Sequence, residues 1–67
     1  MFIKVKDLND GSGVLVNTDD ISRIEERPAG CIIYFKSIAD DFDGTKHQVS
    51  LAVEEDFNFF NWYLSHD

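Results

Sequence analysis

The stretch Val53-Glu54-Glu55-Asp56-Phe57-Asn58-Phe59-Phe60-Asn61-Trp62-Tyr63-Leu64 decides how this chain closes on itself. At about 100° per residue, Val53, Phe57, Phe60 and Leu64 fall on one narrow stripe, the spacing of a short amphipathic helix. That stripe reads as a core face. Phe59, Trp62 and Tyr63 are left on a second, separate face of the same helix. Two apolar faces need two covers, so a sheet must wrap round the helix or a partner molecule must dock on it. Ser50 stands where an N-cap belongs, and Glu54, Glu55 and Asp56 crowd the first turns, where the helix dipole favours negative charge. The spacing therefore predicts a helix over residues 51–64.

Working back from the helix, the rest of the chain reads as strands. Phe2-Ile3-Lys4-Val5-Lys6 alternates apolar and basic residues, the pattern of a half-buried strand. Asn9-Asp10-Gly11-Ser12-Gly13 gathers turn residues, and Val14-Leu15-Val16 resumes a β-branched run, so these two strands are expected to pair as a hairpin. The Gly-x-Gly in this loop has no third glycine, no Lys-Ser/Thr pair and no following helix, so it is a connection and not a phosphate cradle. Asn17-Thr18-Asp19-Asp20 is a capping run before Ile21 and Ile24 and predicts one helical turn that re-aims the chain.

A third strand around Ile24-Glu25-Glu26-Arg27 ends at the turn Pro28-Ala29-Gly30. The continuous apolar run Cys31-Ile32-Ile33-Tyr34-Phe35 is expected to be the central strand. Residues 36–45 are polar and marked by Gly44, which predicts a long loop, and Lys46-His47-Gln48-Val49 reads as a short fifth strand. The expected fold is thus α+β, a small antiparallel sheet of four or five strands closed by one carboxy-terminal amphipathic helix. All 67 residues form a single domain.

The segment Val14-Leu15-Val16-Asn17-Thr18-Asp19-Asp20-Ile21-Ser22-Arg23-Ile24-Glu25 is followed by an apolar strand, a Gly-containing turn, Gln48-Val49-Ser50-Leu51 and an acidic-aromatic helix. This order resembles a recurrent small bacterial and phage pattern and is similar to the FlbD-like small flagellar proteins. More distantly it resembles the sheet of LytTR-type response-regulator domains. The FlbD-like resemblance implies a small accessory protein. The LytTR-like one implies a DNA-reading scaffold, from which this chain departs by having one short unit and no basic stripe.

Composition narrows the function classes. At 43% hydrophobic and 13% aromatic residues with one proline, the chain is a folded globule, and one this short buries only about 60% of its unfolded surface. The net charge of −7 is uneven. Residues 1–36 set Lys4, Lys6, Arg23, Arg27 and Lys36 against Asp7, Asp10, Asp19, Asp20, Glu25 and Glu26, whereas residues 37–67 set Lys46 alone against seven acids. An acidic carboxyl half repels phosphate, so neither direct nucleic-acid binding nor docking on an anionic membrane is expected. The start of the chain alternates from Phe2 onward, without the apolar run of a signal peptide, and no stretch has the roughly 20 apolar residues of a membrane span. Together with a lone Cys31 this predicts a cytoplasmic protein.

Candidate chemistry is sparse. Asp40, Asp41 and Asp43 beside Gly44 suggest a cation loop, but a calcium-binding loop with Gly44 at its sixth position would need an acid at Ala39 and a glutamate at Ser50. His47 and His66 have no visible catalytic partner, and Cys31 opens the most apolar strand, where a thiol acts as a small hydrophobe. No enzyme activity, cofactor or metal is expected. Two functional readings follow. In the first, the protein is a regulatory or accessory binding module that contacts a protein partner, or a second copy of itself, through Phe59, Trp62 and Tyr63. In the second, Asp40, Asp41, Asp43, Glu54, Glu55 and Asp56 imitate nucleic-acid phosphates and inhibit a DNA- or RNA-binding protein. A plainer reading stands beside both: the aromatics fold back under the 36–46 loop and the acids keep the surface solvated.

Overall fold

The computed structural model describes residues 1–40 and 42–65. Strand β1 (Phe2–Lys6) pairs antiparallel with β2 (Gly13–Asn17), placing Ile3 opposite Val16 and Val5 opposite Val14. The predicted hairpin is therefore present, and its alternation puts Ile3, Val5 and Val16 into the core. A 3-10 turn follows at Thr18–Asp20, capped by the Asn17 side chain, which accepts from the Asp19 N–H. Strands β3 (Ile21–Arg27), β4 (Gly30–Asp40) and β5 (Lys46–Val53) form an antiparallel meander with β4 in the middle. The chain ends in α1 (Phe57–Leu64).

The architecture is α+β with one carboxy-terminal helix, but the single sheet of four or five strands is corrected to two sheets, one of two strands and one of three. The 3-10 turn is the physical reason. It swings the chain away after β2, so β3 pairs with β4 rather than continuing the hairpin. The two sheets meet at one corner, where an isolated bridge joins Asp7 to Val53. There the Leu8 N–H donates to the Ala52 carbonyl at 2.9 Å and the Glu54 N–H to the Lys6 carbonyl at 3.0 Å.

The core lies between these sheets. Ile3, Val5 and Val16 come from the hairpin, Cys31, Ile33 and Val53 from the three-stranded sheet, and Phe60 from the helix. Burying a side chain of this kind contributes about 1.5–3 kcal/mol, so Phe60, the helix's one buried residue in this cluster at 1% exposure, is a main seal of the domain.

Three expectations along the chain change. Residues 36–40 belong to β4, and past a register shift between Tyr34 and Ile38 the residues Ile38, Ala39 and Asp40 pair with Gln48, His47 and Lys46, so the expected 36–45 loop is in part a two-stranded arm. β5 runs on through Ser50 to Val53, which places Ser50 opposite Tyr34 in a strand and not at a helix cap. The helix starts later, at Phe57, and its N-cap is Asp56, whose carboxylate accepts from the Phe59 N–H at 2.9 Å. Pairing with Ile33, Ile32 and Cys31 of β4 holds Leu51–Val53 extended, the Asp7–Val53 bridge adds to it from the other side, and together they outweigh the helical phase that Val53 shares with Phe57.

Candidate interaction surface

Because α1 begins at Phe57, Val53 does not set its phase. The face turned to the core is Phe59, Phe60 and Tyr63: Phe60 is buried, and the other two are half-buried and packed against the cluster. The rings form a chain of contacts. Phe59 meets Phe60 edge-on with centroids 5.1 Å apart, Tyr63 tilts against Phe59 at 4.8 Å, and Trp62 meets Tyr63 edge-on at 4.9 Å. Such geometry suits the aromatic quadrupole and adds about 0.5–1.5 kcal/mol per pair beyond area burial.

Of the three aromatics expected on one outward face, Trp62 is the exposed one, at 56%. Phe59 and Tyr63 link it to the core. Two residues expected in the core stripe lie at the opposite shoulder of the helix: Phe57 is 42% exposed and Leu64 37%. With Ile21 and Ile24 of β3 and Asn61 they line an open groove of about 290 Å³. The helix thus shows apolar surface on both flanks, Trp62 on one and Phe57 with Leu64 on the other. Sequence reasoning missed this groove: it read Ile21 and Ile24 as following a cap in one helical turn, whereas the turn is Thr18–Asp20 and both isoleucines lie in β3.

The acids fall into two groups. Asp40 ends β4, and Asp43 lies in the turn to β5, where its carboxylate accepts from the Thr45 N–H at 2.9 Å. This bond holds the Asp43 carboxyl below the usual carboxylate range. Asp41 lies outside the described residues, as does His66. Glu54, Glu55 and Asp56 stand beyond the far end of β5, a strand whose eight residues span roughly 23 Å. Two of these three have structural roles: Glu55 accepts from the Lys6 N–H at 3.0 Å, and Asp56 caps the helix.

Cys31 is buried in the central strand, and its thiol is pushed above the ordinary cysteine value, first by desolvation and then by the nearby charges of Glu26, Asp56 and Glu55. Thiolate is therefore disfavoured. His47 lies on the exposed arm opposite Ala39. Among the described residues no group of three or more His, Cys, Asp or Glu side chains is placed to hold a metal ion, and no helix is long and apolar enough to cross a membrane.

Comparison with known proteins gives no match: no family model, no curated protein and no solved structure is significantly similar to this chain.

Proposed function

We propose that this chain is a small, non-catalytic protein-binding module of regulatory or accessory type, acting in the cytoplasm, that engages a protein partner through α1. The observation that carries this reading is the position of Trp62: the only tryptophan of the chain is more than half exposed, on a helix with apolar surface on both flanks. Tryptophan is a favoured interface anchor because it buries a large area at little conformational cost. Phe59 and Tyr63 support it from beneath, so the indole is held in place before any partner arrives. The accessory role agrees with what the FlbD-like resemblance implies.

The test compares the wild-type chain with Trp62→Gln as bait in lysate of the native host, washed at low salt and at about 0.5 M salt. The expected result is a protein retained by the wild type at both salt concentrations and lost from Trp62→Gln. Equal retention by both baits, or release of everything by salt, overturns the reading.

A further inference from the structure

Strand β3 accompanies β4 only as far as Ile21, which pairs with Phe35. β4 continues to Asp40, and there its other side pairs with β5: Ile38 opposite Gln48, Ala39 opposite His47, Asp40 opposite Lys46. Among the described residues, the edge of Lys36–Asp40 turned away from β5 therefore carries no further strand. Such an edge presents backbone donors and acceptors in register for another chain. Its two ends are defined. Ser37 Oγ donates to the Asp20 carboxylate, at 3.2 and 3.3 Å to the two oxygens, which holds the 3-10 turn beside the inner end, and the chain turns back towards β5 after Asp40.

The sequence of this edge is Lys36-Ser37-Ile38-Ala39-Asp40, and it is complementary to itself when reversed. We infer that two copies of this chain associate by antiparallel pairing of Lys36–Asp40 with the same segment of a second copy, about a two-fold axis at Ile38. In that register Lys36 faces Asp40 of the second copy, Asp40 faces its Lys36, and Ile38 faces Ile38. Ile38 and Asp40 share one face of the strand because side chains alternate, and Lys36, which lies in the register shift between Tyr34 and Ile38, lines the same open groove as Ile38, so both ion pairs flank the apolar contact on the same side. A two-fold pairing needs a surface that matches its own copy, and this one does in charge, polarity and length.

Ile38 supports the choice of axis. It is 66% exposed at the middle of an otherwise polar arm, where it has no role in the core. Shifting the register by one residue moves Ile38 off the axis and separates Lys36 from Asp40. The outer edge of β5 offers no equivalent, since Lys46-His47-Gln48-Val49-Ser50 contains a cation and no acid. Pairing along β4 would extend the three-stranded sheet of each copy into one sheet of six. Five residues a side make an interface far below the usual area, so the dimer is weak and depends on concentration. It uses a surface separate from α1, and it stands or falls independently of the partner proposed for the helix.

Charge exchange at two positions tests it. Lys36→Asp leaves acids at both positions and Asp40→Lys leaves lysines at both, so each variant meets only like charges when it pairs with itself. Sedimentation velocity from about 20 µM to about 1 mM at low ionic strength is expected to show dimer growing in for the wild type. Each single variant should be weakened about tenfold or more, two attractive pairs having become two repulsive ones. An equimolar mixture of the two single variants restores both ion pairs and should dimerise like the wild type, as should K36D/D40K. In the wild type alone, backbone NMR shifts of Ser37–Ala39 should move with concentration while those of α1 stay fixed, a readout that needs no variant to fold. A wild type monomeric at about 1 mM overturns the inference. So do single variants that dimerise unchanged, a mixture that fails to associate, or concentration-dependent shifts confined to α1.

Discussion

Gly30 and Val53 approach so closely that a Cβ on Gly30 would stand 2.1 Å from the Val53 carbonyl oxygen. Gly30 also has φ +120°, a region that side chains rarely adopt. It follows Pro28-Ala29 at the turn between β3 and β4, pairs with Arg27, and lets the end of β5 pass close beside that turn. Gly30→Ala is expected to destabilise the protein by about 3 kcal/mol or more, because backbone strain and a clash with backbone act together. Urea unfolding measures this. A loss under about 1 kcal/mol would show that the corner relaxes without cost.

The helix contributes to stability unevenly along its length. Phe60→Ala should cost about 3–5 kcal/mol, most of what a domain this small has. Phe57→Ala, on the exposed shoulder, should cost no more than about 1 kcal/mol. Thermal melts of the two variants check the ordering, and similar losses would mean that the helix is rotated from the orientation described.

Trp62 and Phe59 should also separate. Trp62→Gln removes an exposed ring and is expected to change stability by within about 0.5–1 kcal/mol, whereas Phe59→Gln puts an amide against the core and should cost about 2 kcal/mol. Circular dichroism melts decide it. If Trp62→Gln melts as far below the wild type as Phe59→Gln does, the indole is part of the core and not a presented anchor.

Cys31 predicts an alkaline limit to stability. Its thiol pKa is raised in the folded protein, so above the ordinary value of 9.0 the unfolded chain releases a proton that the folded one keeps. Its contribution is fully present below that pH and is lost as pH rises through the folded pKa. Stability should thus fall more steeply above about pH 9 in the wild type than in Cys31→Ala, measured by denaturant unfolding at a series of pH values. Parallel curves for the two proteins would show that the thiol does not carry the effect.

The local readings held where one segment contained its own reason. Alternation placed Ile3 and Val5 inside β1, the capping run from Asn17 announced a helical turn although it falls within that run at Thr18–Asp20, Pro28-Ala29-Gly30 announced the β3–β4 turn, and an unbroken apolar run marked β4 as the central strand of its sheet. What tertiary structure decided was every boundary that depends on a distant partner. Lys36–Asp40 has no apolar alternation, and its outer residues Ile38, Ala39 and Asp40 are extended because Gln48, His47 and Lys46 lie opposite them. Ser50 and Asp56 are both competent helix caps, and the choice fell to Asp56 because pairing with β4 from Tyr34 to Cys31, joined by the bridge from Asp7, keeps Ser50 to Val53 in a strand. With Val53 removed from the helix, the phase of the remaining eight residues was set by which rings met the core, turning Phe59 and Tyr63 towards it and leaving Phe57 and Leu64 at its margin. Alternation, caps and turn residues act through neighbours in the chain and are written in its order, whereas register, helix start and helix rotation arise from contacts between segments far apart in sequence.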